Sequence, residues 1–435
     1  MKVLGIVVEY NPFHNGHIYH IEKSKAVTGC DAVVCVMSGN FIQRGEPAII
    51  NKFARAEIAL KNGVDLVLEL PHPFAISSAE TFGFGAVKIL DGIGIVDCIS
   101  FGSEHGETAA LEHIADILVK EPEEYKAELK KQLAVGLAYP VCRQNALKKY
   151  FETRQSETCG TVLSTDSSFT SVLETSNNIL GIEYLKALIR LTSPIKPFTI
   201  KRVSNLYNSS EMTGSISSAT AIRNSIYTSG EVENSQVTGQ ISKAVPQHSQ
   251  LIIENEFSNG RGPVSLKAFE GIILAMLRQM KPEELNRLPD VSEGLEYRIK
   301  SAAENSGTIE ELLSGITTKR YPQTRIQRIL TSLLTGITKS DMEQFMEYGG
   351  PQYARVLGFN NTGRGLLSKM KKNSYLPVIT KFSDYKASCN RLLSRMVEIE
   401  NQAGDIYVLG YKNPAFRKAG QEFTNNIIKI QNPGI

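Results

Sequence analysis

The first hundred residues alternate between short apolar runs and longer mixed segments. "KVLGIVVEY" (Lys2–Tyr10), "DAVVCVMSG" (Asp31–Gly39), "VDLVLEL" (Val64–Leu70) and "GIVDCISFGSE" (Gly94–Glu104) are β-branched runs of strand length. Between them lie helical patterns. "NGHIYHIEKSKAVTG" closes on Gly29 and "NKFARAEIALKNG" on Gly63, each a residue suited to a helix C-terminus. "SSAETFGFGAVKILDG" opens on a Ser pair with Glu80 as a capping signal. Strands alternating with helices of this length predict βαβ units and a parallel sheet. Such a sheet holds its ligands at the carboxyl ends of its strands.

Further on the pattern changes. Residues 108–158 are charged and helical with no strand signal, which predicts a helical insertion. The α/β pattern returns in "NNILGIEYLKALIRLTS" (helix) and "IKPFTIKRVS" (strand), and "SISSATAIRNSIYTSG" reads as a Ser/Thr-capped helix start. From about Leu251 the segments are mostly helical, and the last twenty residues carry no clear pattern. The chain thus divides into an α/β domain over 1–250, with its insertion at 108–158, and a mostly α-helical region over 251–435.

At 435 residues the chain is too long for one ordinary core. No window approaches the ~20 apolar residues that span a bilayer, and Glu9 interrupts the first apolar run before any signal-peptide cleavage site. The six Cys form no C-x-x-C pair, which argues against a zinc knuckle or a redox dithiol and for a reduced, cytoplasmic protein with no membrane partner. Net charge is +3, but its distribution is uneven. From Thr317 to Ile435 there are 18 Lys and Arg against 8 Asp and Glu, a balance of +10, while the preceding residues balance to −7. A basic tail third on an acidic body suits either a polyanion partner or a solvated surface.

Three of the seven His fall within "VEYNPFHNGHIYH", where the first strand hands over to the first helix. Helix N-termini offer unpaired N–H groups and a positive dipole end, and so bind phosphate. Pro12 and Gly16 permit a tight turn there. His14 and His17 are placed to donate hydrogen bonds to phosphoryl oxygens, as nucleotidyl transfer needs. Zinc binding by His14, His17 and His20 is disfavoured, because His20 rotates off the shared face and no carboxylate completes the set. A nucleotide bound there could bring a Mg²⁺ ion with it. Ser218, Thr220 and Arg223 form a second anion-binding helix start, which by itself could be simple capping. Gly102 ends the fourth strand, where it would let a ligand approach the backbone. Ser38, Gly39 and Asn40 end the second, followed by a polar loop with Gln43, Arg44, Glu46 and Lys52. Arg44 and Lys52 could bind a small carboxylate or pyrophosphate, or be plain solvated charge.

His14-Asn15-Gly16-His17 matches the H-x-G-H motif of the nucleotidylyltransferase superfamily, and Ser218-x-Thr220-x-Ile222-Arg223 resembles its second signature, with Ala219 in place of the usual hydroxyl residue. Within that superfamily the chain is similar to the bacterial tRNA(Met) cytidine acetate ligases. The residues that carry this are "GIVVEYNPFHNGH", "VMSGNFIQRGEPAI", "FGSE", "NNILG" and "TKRYPQTRIQR", in order from residue 5 to residue 328. The resemblance implies a Rossmann-like nucleotidyltransferase fold and a two-step reaction. ATP would activate acetate as acetyl-adenylate, and the acetyl group would pass to the exocyclic amine of the wobble cytidine of elongator tRNA-Met. It also implies an ATP site. That site comprises the first βα loop (Ile6, Val7, Val8, Glu9, Tyr10, Asn11, Pro12, Phe13, Asn15 and Gly16, with His14 and His17), Gly102, Asn177 or Asn178, Arg202 with Val203, and Ser218, Thr220 and Arg223. No protein partner is implied.

Two other readings compete. A plain nucleotidyltransferase would adenylylate a small phosphorylated metabolite, but the additional ~200 residues with their basic surplus favour a macromolecular substrate. An RNA-binding protein on a dead nucleotide fold would not need His14, His17 and Arg223. Within Lys319–Arg328, Lys319, Arg320, Arg325 and Arg328 are the expected tRNA contacts. Arg325 and Arg328 lie on one helical face, with Tyr321 expected to be available to stack on a base. Lys369, Lys371 and Lys372 form a second basic cluster.

Overall fold

The computed structural model describes residues 1–137, 139–157, 175–202, 218–228, 242–387 and 389–431. The four apolar runs of the first hundred residues are strands β1 (Val3–Val8), β2 (Ala32–Ser38), β3 (Leu66–Leu70) and β4 (Cys98–Ser103), and β5 is Lys196–Lys201. They pair in parallel in the order β3-β2-β1-β4-β5. Every residue of β2 and β3 is buried, as expected of strands covered on both faces. Alternate residues of β2 divide between the two faces. Val34 and Val36 pack with Phe82, Ala86 and Leu185 of the helices Ala79–Gly92 and Ser176–Arg190. Val33, Cys35 and Met37 pack with Ile21, Ala56 and Ile58 of the helices Asn15–Thr28 and Lys52–Lys61.

The insertion is helical, with helices Thr108–Lys120, Glu123–Ala134 and Tyr139–Glu157. The region after residue 250 is mostly helical too, but it also returns to the sheet. Strand β6 (Ala354–Phe359) pairs antiparallel with β3, and β7 (Val378–Ile379) and β8 (Ile428–Lys429) pair with β6. The sequence reading assigned none of these three strands. The sheet therefore continues across residue 250, from the α/β domain into the C-terminal region.

Glu80 does not close a capping box. Ser78 caps the helix through Thr81 N–H, and Glu80 instead pairs with Lys186 and Arg190 at 2.9 Å each. Strand order reverses at β1, with β2 and β3 on one side and β4 and β5 on the other. The crevice beyond the carboxyl ends of β1 and β4 is thus the topological switch point.

Candidate active site

The first βα turn lies at that crevice. His14 is the N-cap of Asn15–Thr28, and its Nδ1 accepts from Gly16 N–H at 3.1 Å. His17 closes the box in the other direction, its Nδ1 accepting from His14 N–H at 3.1 Å. The two rings stack with centroids 3.8 Å apart. A capping box usually pairs Ser or Thr with Glu or Gln. With imidazoles in both places, each Nδ1 is an acceptor, so in the neutral ring the proton sits on Nε2. The turn thus holds two Nε2–H donors in a fixed tautomer. Burial, with Arg202 and Arg223 nearby, pushes His14 down to about 3. Burial, His14 and Arg202 lower His17 as well, and burial with Arg202 takes His20 to about 4. The rings are therefore neutral donors in an electropositive pocket.

The rest of the loop is tied down around them. Tyr10, at φ +49°, and Phe13 pack edge-on or tilted against His17 at 4.9 and 5.3 Å. Asn11 Oδ1 accepts from Ile49 N–H at 2.9 Å. Asn15 donates from its backbone to the Ala244 carbonyl at 3.0 Å and from its side chain to Lys243 at 2.9 Å. Ile6 is buried in the sheet, and Val7 and Val8 lead to the rim half-buried. Asn11 and Pro12 are joined by a cis peptide bond.

The expected ATP residues from later in the chain converge on the same rim. Arg223 Nη1 donates to the Asn11 carbonyl at 2.8 Å and lies beside Thr220, while Ser218 Oγ accepts from Ala221 N–H at 3.1 Å. Arg202 Nη1 donates to Asn177 Oδ1 at 3.1 Å, Asn177 Nδ2 donates to Glu104 Oε1 at 2.6 Å, and Glu104 N–H donates to Asn178 Oδ1 at 3.0 Å. A Cβ on Gly102 would sit 3.2 Å from Arg202 Cγ, so this glycine makes room for the Arg202 stem. Val203 lies outside the described residues.

The polar loop after β2 divides the expectations. Arg44 is half-buried and acts electrostatically on Glu9, whose carboxylate accepts from Gln43 N–H at 2.7 Å. Burial raises the Glu9 carboxyl above its usual range, against the lowering influence of Gln43, Arg223, Arg55 and Arg44. Lys52 does not join the site. It is fully buried, with Nζ 2.6, 2.9 and 2.8 Å from Glu69, Glu400 and Glu422. Arg355 bridges Glu69 and Glu422 at 2.8 and 2.6 Å. Burial alone would lower the Lys52 ammonium, but these carboxylates raise it, so it is a structural cation with no open face. Position in a polar loop suggested exposure, and partners up to 370 residues away removed it.

Arg55 is the residue the sequence reading missed. It is fully buried and donates to the carbonyls of Glu9 at 2.6 Å, Ile50 at 3.2 Å, and Gly39. It therefore joins the loops that follow β1 and β2. A lone Arg among the small apolar residues of "FARAEIA" was the available signal.

Of the expected RNA contacts, Arg325 and Arg328 lie on helix Gln323–Thr335, which packs on the same rim, and Lys319 and Arg320 lie in the segment just before it. Thr331 Oγ donates to the Gly45 carbonyl at 2.8 Å, and Gln327 donates to Glu46 at 2.8 Å. Gly45 has φ +76°, and a Cβ there would lie 2.2 Å from Arg328 N. The turn 290–293 engages the arginines. Arg325 donates twice to the Asp290 carbonyl at 3.0 and 2.6 Å, Arg328 pairs with the Asp290 carboxylate at 3.4 Å, and Arg320 pairs with Glu293. Tyr321 is only 8% exposed, with Arg325 over its ring, so it offers no free stacking face. Lys319 is exposed. Among the described residues no cluster of three or more His, Cys, Asp and Glu could hold a metal ion, and no helix is long and apolar enough to cross a membrane.

Comparison with known proteins fits this cleft. Residues 1–422 match the family model described as HIGH Nucleotidyl Transferase. The chain is 54% identical over 428 residues to the tRNA(Met) cytidine acetate ligase of Acetivibrio thermocellus, covering 98% of this chain and 100% of that one. It is 46% identical to the protein of the same name from Thermoanaerobacter sp., covering 99% and 100%. It superposes with TM-score 0.91 on the crystal structure of Thermotoga maritima TmcAL bound with alpha-thio ATP, at 36% identity over 99% of this chain and all of that one.

Proposed function

This chain belongs to the tRNA(Met) cytidine acetate ligases of the HIGH nucleotidyl transferases, and from that membership and the cleft geometry we infer that it uses ATP to acetylate the wobble cytidine of elongator tRNA-Met. The observation that carries the reading is the reciprocal cap of His14 and His17 at the switch point, with Arg202 and Arg223 beside it.

In the first step an acetate oxygen attacks the α-phosphate of ATP. The bond to the β,γ-pyrophosphate breaks, leaving acetyl-adenylate. Negative charge grows on the phosphoryl oxygens, and the Nε2–H groups of His14 and His17 and the two guanidinium groups are the donors positioned for it. Their pre-set geometry means little rearrangement is needed as charge develops. Arg44, on the loop after β2, is the group we assign to the acetate carboxylate or the departing pyrophosphate. Asn177, Asn178 and Gly102 would face the nucleoside. In the second step the exocyclic amine of the cytidine attacks the acetyl carbonyl, AMP leaves, and the amine gives up a proton.

The tRNA would lie along the rim beside helix Gln323–Thr335, with Lys319 and Arg320 at its edge, in the cytoplasm where tRNA is found. Arg325 and Arg328 are assigned to shaping that rim through Asp290. The test is pyrophosphate release from ATP with acetate, with and without tRNA, alongside acetyl incorporation into tRNA. Release that needs a phosphorylated metabolite instead of acetate would sink this reading.

A further inference from the structure

Beside the basic helix lies a cavity of about 300 Å³ that the two-step reaction does not use. It sits between the segment following β3 and the C-terminal helices. Ile76, Pro289 and Met342 form apolar walls, and Asp290, Lys339 and Glu343 are its charged lining. Lys339 Nζ donates to Asn286 Oδ1 at 3.3 Å and to the Val291 carbonyl at 3.0 Å, the Asp290 carboxylate pairs with Arg328, and Glu343 is an exposed carboxylate at the rim. Its position is fixed from two directions. Gln43 Nε2, from the loop that carries Arg44, donates to the Ser77 carbonyl at 3.0 Å. Asp290 is the residue that holds Arg325 and Arg328. The cavity thus opens on the same rim as the ATP crevice, next to the face assigned to RNA. Its volume is at the small end of ligand sites.

We propose that this cavity receives one unstacked nucleobase of the tRNA, flanking the acetylated cytidine, and that it favours a base presenting an amino group. The proposal rests on the assignment of tRNA as substrate. Single-stranded RNA is read by splaying bases out of the stack and packing their faces on side chains. Apolar walls suit ring faces. The Glu343 carboxylate can accept a hydrogen bond from an exocyclic amine, as carboxylates do from cytosine amino groups in DNA. With Lys339 and Asp290 already engaged, apolar walls beside the Glu343 carboxylate argue for a base in the cavity, with the backbone outside along Lys319 and Arg320.

The test uses the full-length protein and an anticodon stem-loop carrying single 2-aminopurine substitutions. Met342→Trp fills the cavity, and Glu343→Lys reverses an exposed rim charge at little risk to folding. Both should leave tRNA-independent acetyl-adenylate formation at the wild-type rate. Met342→Trp should raise the KM for tRNA by about ten-fold, the scale of losing one base buried against apolar side chains. Glu343→Lys should raise it by about three-fold, although a lysine would tighten general polyanion binding. One 2-aminopurine position next to the cytidine should change fluorescence with wild type and not with Met342→Trp. Tighter binding by Glu343→Lys, or an unchanged KM in both variants, overturns the proposal. If wild type itself fails to bind the stem-loop, the tRNA assignment fails first.

Discussion

His14 and His17 are each cap and donor at once, so their contributions to folding and to chemistry can be separated by measurement. Replacing His17 by Ala removes the proposed phosphate donor and the acceptor for His14 N–H. Loss of a charge-stabilising donor costs on the order of 10²-fold in turnover, while loss of a cap costs about 1 kcal/mol. His17→Ala should therefore form acetyl-adenylate about 10²-fold more slowly with only a modest fall in melting temperature. Wild-type adenylate formation would exclude His17 from the chemistry. Arg223 allows a related test. It already donates to Asn11 through one arm of its fork, so Arg223→Lys should weaken ATP binding despite conserving charge. Wild-type ATP affinity in that variant would make Arg223 a purely structural tie. A third residue-scale expectation concerns pH. His72 is fully buried, its Nε2 is 3.0 Å from Thr335 Oγ, and burial with Lys52 nearby pushes it down to about 3. The unfolded chain, at an ordinary value near 6.5, binds a proton that the folded one refuses, so stability is full above about pH 6.5 and falls as pH drops toward 3. Between pH 6.5 and 5 that amounts to about 2 kcal/mol for this residue. His72→Gln should flatten the pH dependence of the melting temperature over this range, and an unchanged slope would assign the acid sensitivity to other groups.

At the scale of elements, the first βα units were readable because both their apolar periods and their chemistry are local. A buried parallel strand needs only a β-branched run, and the His14–His17 turn needs only four consecutive residues. What escaped depends on contacts distant in sequence. Strand β6 is a six-residue segment whose assignment comes from pairing with β3. Lys52 reads as a loop cation until Glu69, Glu400, Glu422 and Arg355 close around it. Asn177 is expected at the nucleotide only by resemblance, and its bond to Glu104 has no local signal at all. The Lys52 cluster ties helix Lys52–Lys61 to β3, β6 and helix Arg391–Tyr407, and burial with the neighbouring Glu400 raises the Glu69 carboxyl. Removing one member of a buried ion network leaves the others uncompensated and costs about 3–5 kcal/mol. Lys52→Met should therefore lower the denaturation midpoint sharply, yet the fraction still folded at low temperature should retain its rate of acetyl-adenylate formation. A normal melting curve with abolished adenylate formation would return Lys52 to the active site.

At the scale of the whole molecule, the two ends of the parallel strands decide between the two basic clusters. Helix Gln323–Thr335 packs on the Gly45 loop and, through Thr335, on His72, both at the carboxyl ends of parallel strands. Helix Asn361–Asn373 is at the other end. Asn360 Nδ2 donates at 2.8 Å to Asp65, just before β3 begins, and Asn373 packs on Gly94, ahead of β4. Lys369, Lys371 and Lys372 are exposed, but at the strand ends opposite the ATP crevice. A tRNA with its wobble base at the acetyl-adenylate would meet Lys319 and Arg320 directly and would reach the second cluster only with a distant part. Each lost phosphate contact should reduce the slope of log affinity against log salt by about 1. Lys319→Ala with Arg320→Ala should therefore lower that slope by about 2 and weaken tRNA binding at low salt, with adenylate formation from ATP and acetate unchanged. Lys369→Ala, Lys371→Ala and Lys372→Ala together should change the slope by less than one contact's worth, although they remove more charge. A filter-binding salt titration of both variants compares the two ends. The reverse ranking would place the anticodon loop away from the switch point, and the shared rim of ATP and RNA would then have to be abandoned.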